Sequence, residues 1–130
     1  MITLDASVVI AHLQPRDYHH HAATAYLREH ADQPLLIHSL NLAEVLIGGV
    51  KAGRGHELLD DLHAIGLRVA DQREGEPLRL AALRVETGLK LPDCCALDTA
   101  LTSESTLATF DERLAAAART RHLMVGLASA

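Results

Sequence analysis

Four acidic residues have the types and positions from which a metal-dependent chemistry could be built. They are Asp5, Glu44, Asp93 and Asp111. Each lies beside apolar neighbours, so its carboxylate is expected to be partly desolvated, and desolvated carboxylates that converge repel one another unless a cation compensates. Ligand sets made only of oxygen suit Mg²⁺ or Mn²⁺ rather than zinc. The four acids are therefore candidate ligands of a divalent metal ion.

Each acid also has a structural interpretation. An Asp or Glu in the first turn of a helix commonly caps that helix or interacts with its dipole. This would account for Glu44, Asp93 and Asp111 taken one at a time. Asp5 is different, because it ends an apolar run that is predicted to be a central, buried strand. The joint placement of all four favours a shared metal site over separate caps.

The elements that must position these acids alternate between strands and helices. Short apolar runs predict strands over residues 2–5, 35–38, 67–70, 106–108 and 122–125. Apolar residues at helical spacing predict helices over residues 6–13, 16–31, 41–50, 56–65, 74–87, 92–102 and 112–121. This alternation predicts a three-layer α/β/α sandwich with a central, mainly parallel sheet and right-handed crossovers. Sites in such folds form beyond the carboxyl ends of the strands, where the four acids lie.

The composition is that of one globular domain, and we expect residues 1–130 to form a single domain. Apolar residues make up 48% of the chain and charged residues 22%, which allows a core without disulfides. Cys94 and Cys95 are adjacent and diverge on a helix, so a disulfide is disfavoured and a reducing compartment fits. No segment has the length of a membrane span or the pattern of a signal peptide. We therefore expect a cytoplasmic protein with no membrane partner.

Charge and aromatic content limit how this chain could bind a nucleic acid. The net charge of −5 at pH 7 is not typical of a general nucleic-acid binder. Tyr18, Tyr26 and Phe110 are too few to predict an extended platform for base stacking. Any nucleic acid is expected to be held locally, at a metal centre with a few Arg or Lys residues. The histidines at positions 19–21 are predicted to form a solvated helix face, because consecutive side chains diverge.

Four motifs carry the acids, and together they resemble one family. Met-Ile-Thr-Leu-Asp-Ala-Ser-Val-Val-Ile (1–10) is similar to the opening of PIN-domain nucleases. Asn-Leu-Ala-Glu-Val-Leu-Ile-Gly (41–48) is similar to their second acidic motif. Leu-Pro-Asp-Cys-Cys-Ala-Leu-Asp-Thr-Ala-Leu (91–101) resembles the third, and Leu-Ala-Thr-Phe-Asp (107–111) the fourth. The motifs follow the order of the family, and the chain has the length of the VapC toxins within it.

The resemblance implies a Mg²⁺- or Mn²⁺-dependent endoribonuclease that is the toxin of a type II toxin–antitoxin system. RNA would be the substrate, a cognate VapB-type antitoxin the partner and a homodimer the assembly. Asp5, Glu44, Asp93 and Asp111 carry over as the catalytic metal ligands. A metal-activated water would hydrolyse the RNA phosphodiester and leave a 5′-phosphate and a 3′-hydroxyl, so that no side-chain nucleophile is needed.

Three further residues could support the metal ligands. Ser7 and Thr109 carry hydroxyls two residues from Asp5 and Asp111, where they could orient a carboxylate or a metal-bound water. A local hydrogen bond to the backbone is the favoured alternative for both. Asp98 departs from the family pattern, which has a small or neutral residue there. It lies about 140° further round a helix than Asp93, so a structural role is favoured over a supporting one.

Three other classes of protein compete with this interpretation. A haloacid-dehalogenase-like phosphatase would use Asp5 as its nucleophile, but it needs a second acid where Ser7 stands. A receiver domain is disfavoured, because its early acid pair and mid-chain phospho-acceptor are missing from the sequence. The non-enzymatic alternative is a PIN fold retained as a binding or assembly module. The complete set of four acids favours the enzyme over that alternative.

Overall fold

A computed structural model describes residues 1–128 of the 130-residue chain. The strands in this part are β1 (Ile2–Leu4), β2 (Leu35–Ile37), β3 (Leu67–Val69), β4 (Thr106–Thr109) and β5 (Val125–Leu127). The helices are α1 (Ala6–Leu13), α2 (His20–Glu29), α3 (Ser39–Lys51), α4 (Gly55–Ala64), α5 (Glu76–Thr87), α6 (Leu91–Ser103) and α7 (Glu112–Thr120). Of the helices in residues 1–128, none combines the length and the apolar character that a membrane span requires.

The five strands form one parallel sheet in the order β3-β2-β1-β4-β5. β1 is central, and Ile2 is paired with Leu35 of β2 on one side and with Thr106 of β4 on the other. The chain builds outward from β1 to β3 and then returns to place β4 beside β1. The strand order therefore reverses between β1 and β4, and the crevice beyond their carboxyl ends is where doubly wound sheets form sites.

Apolar side chains on the two faces of the sheet form two clusters. Leu107 and Ala108 are consecutive in β4, so their side chains project to opposite faces. Ala108 belongs to the cluster that includes residues of α1 to α4, whereas Leu107 belongs to the cluster that includes residues of α5 to α7. Helices thus cover both faces of a parallel sheet. This confirms the predicted three-layer α/β/α sandwich.

Ten of the twelve predicted elements agree with the structure to within two residues at each end, and two differ by more. The helix predicted over residues 16–31 begins only at His20, because the Asp17 carboxylate accepts the amide of His19 at 2.8 Å and the preceding residues form turns. The strand predicted over residues 122–125 begins at Val125. His122 has a φ of 65°, a left-handed conformation that interrupts any extended strand there.

Candidate active site

Asp5 lies at the carboxyl end of the central strand with its side chain almost fully buried, at 6% exposure. Its backbone amide donates to the carbonyl of Ala108 at 3.0 Å, which continues the pairing of β1 with β4. Its carboxylate does not cap α1. Instead, Oδ2 accepts hydrogen bonds from the hydroxyls of Ser7 and Thr109, each at 2.8 Å. The carboxylate is therefore held in a fixed orientation between the start of α1 and the end of β4.

The two hydroxyls also receive hydrogen bonds from the loop that follows β4. Thr109 Oγ1 accepts from the amide of Asp111 at 3.0 Å, and Ser7 Oγ lies 3.4 Å from the donating amide of Phe110. Each hydroxyl thus donates to Asp5 and accepts from the backbone. The structure combines the two roles weighed for Ser7 and Thr109 from the sequence, a local backbone contact and the orientation of a carboxylate.

Asp111 is the N-cap of α7, and its Oδ1 accepts the amide of Leu114 at 3.0 Å. The cap interpretation therefore describes one of its oxygens. The bond fixes the side chain and leaves Oδ2 for another partner. Burial raises the pKa of Asp5, the hydrogen bonds from its two hydroxyl partners oppose this shift, and the negative charge of Asp111 adds to it. Asp5 and Asp111 are therefore electrostatically coupled across the β1–β4 crevice.

Glu44 is positioned by a residue that was not predicted from the sequence. Asn41, fully buried one turn earlier in α3, donates from Nδ2 to Glu44 Oε1 at 3.2 Å and to the carbonyl of Pro92 at 3.0 Å. Asn41 therefore joins α3 to the first turn of α6, which carries Asp93. Its Oδ1 is buried without a hydrogen-bond partner among residues 1–128. The sequence feature that could have identified Asn41 is its position three residues before Glu44, a spacing that places both side chains on one helix face.

The start of α3 is fixed by His38. Its Nδ1 accepts the amide of Leu40 at 3.0 Å, so the ring proton is on Nε2, which donates to Glu76 at 2.6 Å. This contact ties the first turn of α3 to that of α5. The helix that carries Asn41 and Glu44 is thereby anchored at its N-terminus.

Asp93 is the acid whose pKa is affected by the charges of the other three acids. Its pKa is raised to about 6, first by burial and then by the negative charges of Asp5, Asp111 and Glu44. Lys90, the residue before α6, lowers it. A carboxyl group responds in this way only to charges that lie near it. Asp5, Glu44, Asp93 and Asp111 thus form one group, which we call the acidic cluster.

The donor set of the acidic cluster fits a hard divalent cation, because every candidate ligand atom is a carboxylate oxygen. The buried, unpaired Oδ1 of Asn41 beside Glu44 adds a neutral oxygen to the same region. As positioned here, no three His, Cys, Asp or Glu side chains in residues 1–128 stand at metal-ligand spacing. A bound cation would therefore have to draw the repelling carboxylates inward.

Asp98 is engaged away from the acidic cluster. Arg79 of α5 donates from Nε to Asp98 Oδ1 at 2.8 Å and from its terminal nitrogen to Oδ2 at 3.2 Å. The Asp98 side chain is 6% exposed and that of Arg79 is 34% exposed. Both carboxylate oxygens serve a forked ion pair between α5 and α6. This contact gives both oxygens of Asp98 a structural partner in α5.

A cavity of about 540 Å³ lies away from the acidic cluster. Its walls include the His38–Glu76 and Arg79–Asp98 pairs but none of the four acids. In each pair the carboxylate already has a hydrogen-bonding partner, His38 for Glu76 and Arg79 for Asp98. We place the candidate site at the acidic cluster, where like charges are brought together without a partner, rather than in this cavity.

The histidines at positions 19–21 differ from the prediction. His21 is exposed, but His20 Nδ1 lies 2.9 Å from the carbonyl of Ala11, and the His19 ring is stacked on Phe110 with centroids 4.0 Å apart. The predicted solvated face is therefore wrong for His19 and His20. The cause is the late start of α2, which turns these two side chains towards α1 and the β4–α7 loop.

Comparison with known families places the chain in a defined class. Residues 2–120 match the PIN domain family. Since this is most of the chain, the protein belongs to the PIN domain family, as its four acidic motifs predicted. No curated protein is significantly similar to it in sequence.

Solved structures share the same fold. A toxin–antitoxin complex from Klebsiella pneumoniae matches with a TM-score of 0.70 and 24% identity, over 85% of this chain and 87% of that one. VapBC2 from Rickettsia felis, bound to a DNA fragment from its promoter, matches with a TM-score of 0.72 and 18% identity, over 98% of each chain. FitAcB from Neisseria gonorrhoeae matches with a TM-score of 0.65 and 19% identity, over 97% of this chain and 96% of that one. At these identities, the likeness establishes the fold.

Proposed function

We propose that this PIN-domain protein is a metal-dependent endoribonuclease, the VapC-type toxin of a type II toxin–antitoxin system. The observation that carries the proposal is the acidic cluster at the crevice between β1 and β4. Burial first, and then the negative charges of the other three acids, raise the pKa of Asp93 to about 6. The four carboxylates are not each paired with a neutralising side chain. Their mutual repulsion is offset only if a cation or a cationic ligand binds among them.

The proposed cofactor is Mg²⁺, with Mn²⁺ as an alternative, held by Asp5, Glu44, Asp93 and Asp111. When bound, such an ion would lower the pKa of a water for attack and offset charge on the phosphodiester. The chain itself holds the ligands in place. Ser7 and Thr109 orient Asp5, Asn41 orients Glu44, and the helix cap orients Asp111.

The proposed substrate is RNA, hydrolysed at its phosphodiester bonds. Lys90 is exposed beside Asp93, so it can contact a phosphate on the α6 side of the acidic cluster. The rival proposal is a PIN fold that binds or assembles without catalysis, and the test below separates the two.

The proposed partner is an antitoxin of the VapB type, in line with the toxin–antitoxin complexes among similar structures. We infer that it inhibits by presenting a cationic side chain, Arg above all, to the acidic cluster. A guanidinium is permanently charged and binds a carboxylate through two parallel hydrogen bonds. A homodimer is the proposed assembly, carried over from the family resemblance, and light scattering of the purified protein tests it.

The test of the proposed activity is cleavage of single-stranded RNA by the purified protein. We expect cleavage in Mg²⁺ or Mn²⁺, none in EDTA, and restoration when the metal is returned. Asp5→Asn should lower the rate about 100-fold or more, because it removes a central ligand. Asp60→Asn is the matched control, since it removes an exposed carboxylate of α4. Undiminished cleavage in EDTA would exclude a metal nuclease, and no cleavage under any condition would favour the binding module.

A further inference from the structure

The rings of two adjacent residues, Tyr18 and His19, and of the distant Phe110 pack together. Phe110 and His19 lie face to face, with centroids 4.0 Å apart and planes inclined by 10°. Tyr18 meets His19 edge-on, with centroids 5.0 Å apart and planes inclined by 86°. Tyr18 and Phe110 are two of the three Phe and Tyr residues in a chain without Trp. We call Tyr18, His19 and Phe110 the aromatic stack.

The stack begins at the acidic cluster and leads outward from it. Phe110 lies between Thr109, which donates to Asp5, and Asp111. Its amide donates to the hydroxyl of Ser7, the other donor to Asp5. The Phe110 ring is partly buried, whereas Tyr18 at the far end is 91% exposed. A ligand whose phosphate lay at the carboxylates would thus meet a series of rings on the α1–α2 side.

Core packing does not account for Tyr18. A side chain that is 91% exposed buries almost no apolar area, so its ring adds little to folding stability through burial. The turn that presents the ring is held by the Asp17 carboxylate, which accepts the amide of His19 at 2.8 Å. Arg16, also exposed, lies two residues earlier and adds a positive charge to this segment.

We propose that the aromatic stack is a base-binding subsite, in which an unpaired nucleobase of the RNA substrate stacks on the exposed ring of Tyr18. This inference rests on the proposed function and adds to it where the substrate is gripped. Stacking does not depend on net charge, so it offers a chain of charge −5 a way to hold RNA beside its own carboxylates. Every base has a π-face, and a flipped or single-stranded nucleotide can present it.

The first experiment measures kcat/KM on a short single-stranded RNA with Mn²⁺. Tyr18→Ala should lower kcat/KM about 10-fold, whereas Tyr18→Phe, which keeps the ring, should stay within about 2-fold of the wild type. Val85→Ala is the matched control, because it truncates another exposed apolar side chain, on α5. One abasic nucleotide, moved along the RNA, should reproduce the loss at a single position. At that position Tyr18→Ala should cause no further loss.

The second experiment measures binding without turnover. In the Asp5→Asn, Tyr26→Phe protein, Tyr18 is the one tyrosine of a chain that has no Trp, so tyrosine emission reports on this ring. Titration with the intact RNA should quench that emission. The RNA with the abasic nucleotide at the sensitive position should quench it less and bind about 10-fold more weakly.

The outcomes separate this inference from the proposed function. If the wild-type protein never cleaves RNA while the Asp5→Asn, Tyr26→Phe protein shows Tyr18 quenching by RNA, the nuclease proposal is wrong and the subsite stands. A protein that cleaves RNA equally well with Tyr18→Ala, and shows no quenching, would overturn the subsite and keep the nuclease. If Tyr18→Ala weakens only the binding of the antitoxin, the ring belongs to a protein interface and the inference is wrong.

Discussion

Asp93 illustrates at the scale of one residue how a candidate site works against the stability of its own fold. Its pKa rises from 3.8 in the unfolded chain to about 6 in the folded protein. The folded state therefore binds the proton more tightly. Protonation of Asp93 therefore contributes to the free energy of unfolding. This contribution is fully present below pH 3.8 and is lost as the pH rises through 6. At neutral pH and without metal, the ionised Asp93 destabilises the fold.

We therefore predict that Asp93→Asn raises the stability of the metal-free protein at pH 7.5 while it abolishes RNA cleavage. The raised pKa corresponds to up to about 3 kcal/mol, and solvent screening of this partly exposed group reduces that to about 1–2 kcal/mol. Urea unfolding in EDTA measures the gain, which should shrink as the pH falls from 7.5 towards 4. Asp60→Asn should show no such gain. A less stable Asp93→Asn protein at pH 7.5 would contradict the electrostatic account of the site.

A second prediction at this scale concerns the hydroxyls that hold Asp5. Ser7→Ala or Thr109→Val removes a 2.8 Å hydrogen bond to the carboxylate, and the concentration of Mn²⁺ needed for half-maximal cleavage should rise about 10-fold. Calorimetric titration with Mn²⁺ measures the same change without turnover. Thr120→Val is the control, because its hydroxyl donates only to the carbonyl of Ala116 in its own helix. Equal Mn²⁺ affinity in all these proteins would limit Ser7 and Thr109 to a structural role.

The four acids could be predicted from the sequence because each carries its own local signal, an apolar run that ends in an acid or a helix start. Asn41 could not, because its significance lies in a contact with Pro92, 51 residues away. The same holds for His19 and Phe110, whose rings meet only after α2 has packed beside the β4–α7 loop. Local pattern predicts the residues that carry charge. Long-range packing decides which residues orient them.

At the scale of the elements, hydrophobic periodicity predicted the alternation of strands and helices because that alternation buries one face of each helix and both faces of the inner strands β1, β2 and β4. The two larger errors arose where single residues override periodicity. Asp17 forms a turn that delays α2, and His122 adopts a left-handed conformation that delays β5. Neither the Asp17 turn nor the His122 conformation changes the apolar pattern on which the prediction rests. The order of the strands follows from packing that no single segment encodes.

The forked ion pair between α5 and α6 gives a prediction at this scale. Arg79→Ala leaves the buried carboxylate of Asp98 without a partner, so it should lower the free energy of unfolding measured in urea. The double change Arg79→Leu with Asp98→Ala should recover part of that loss, because no unpaired charge remains. Cleavage per folded molecule should stay at the wild-type level in each case. A loss of cleavage in a fully folded Asp98→Asn protein would instead assign Asp98 to the site.

At the scale of the whole molecule, the acidic cluster and the net charge of −5 act together. Clustered carboxylates beside low-dielectric protein create a strongly negative potential that attracts cations from solution. A metal ion and a cationic side chain of a partner would compete for the same carboxylates of the acidic cluster. The state of the protein, active or inhibited, would then depend on which of the two occupies the cluster.

The last prediction follows from that competition. If an antitoxin places an Arg at the acidic cluster, Arg→Ala in its tail should weaken binding about 10- to 1,000-fold, because the carboxylates lose their counter-charge. Added Mn²⁺ should displace the original antitoxin in a concentration-dependent way and should have little effect on the residual binding of the Arg→Ala tail. Binding and RNA cleavage, measured across a Mn²⁺ series, test both parts. An Arg→Lys tail is the control, since it keeps the charge but not the forked geometry, and it should fall between the two. An Arg→Ala tail that binds and inhibits as well as the original would contradict this prediction. RNA cleavage would then be inhibited although no Arg occupies the acidic cluster, so the antitoxin would have to block RNA at another place.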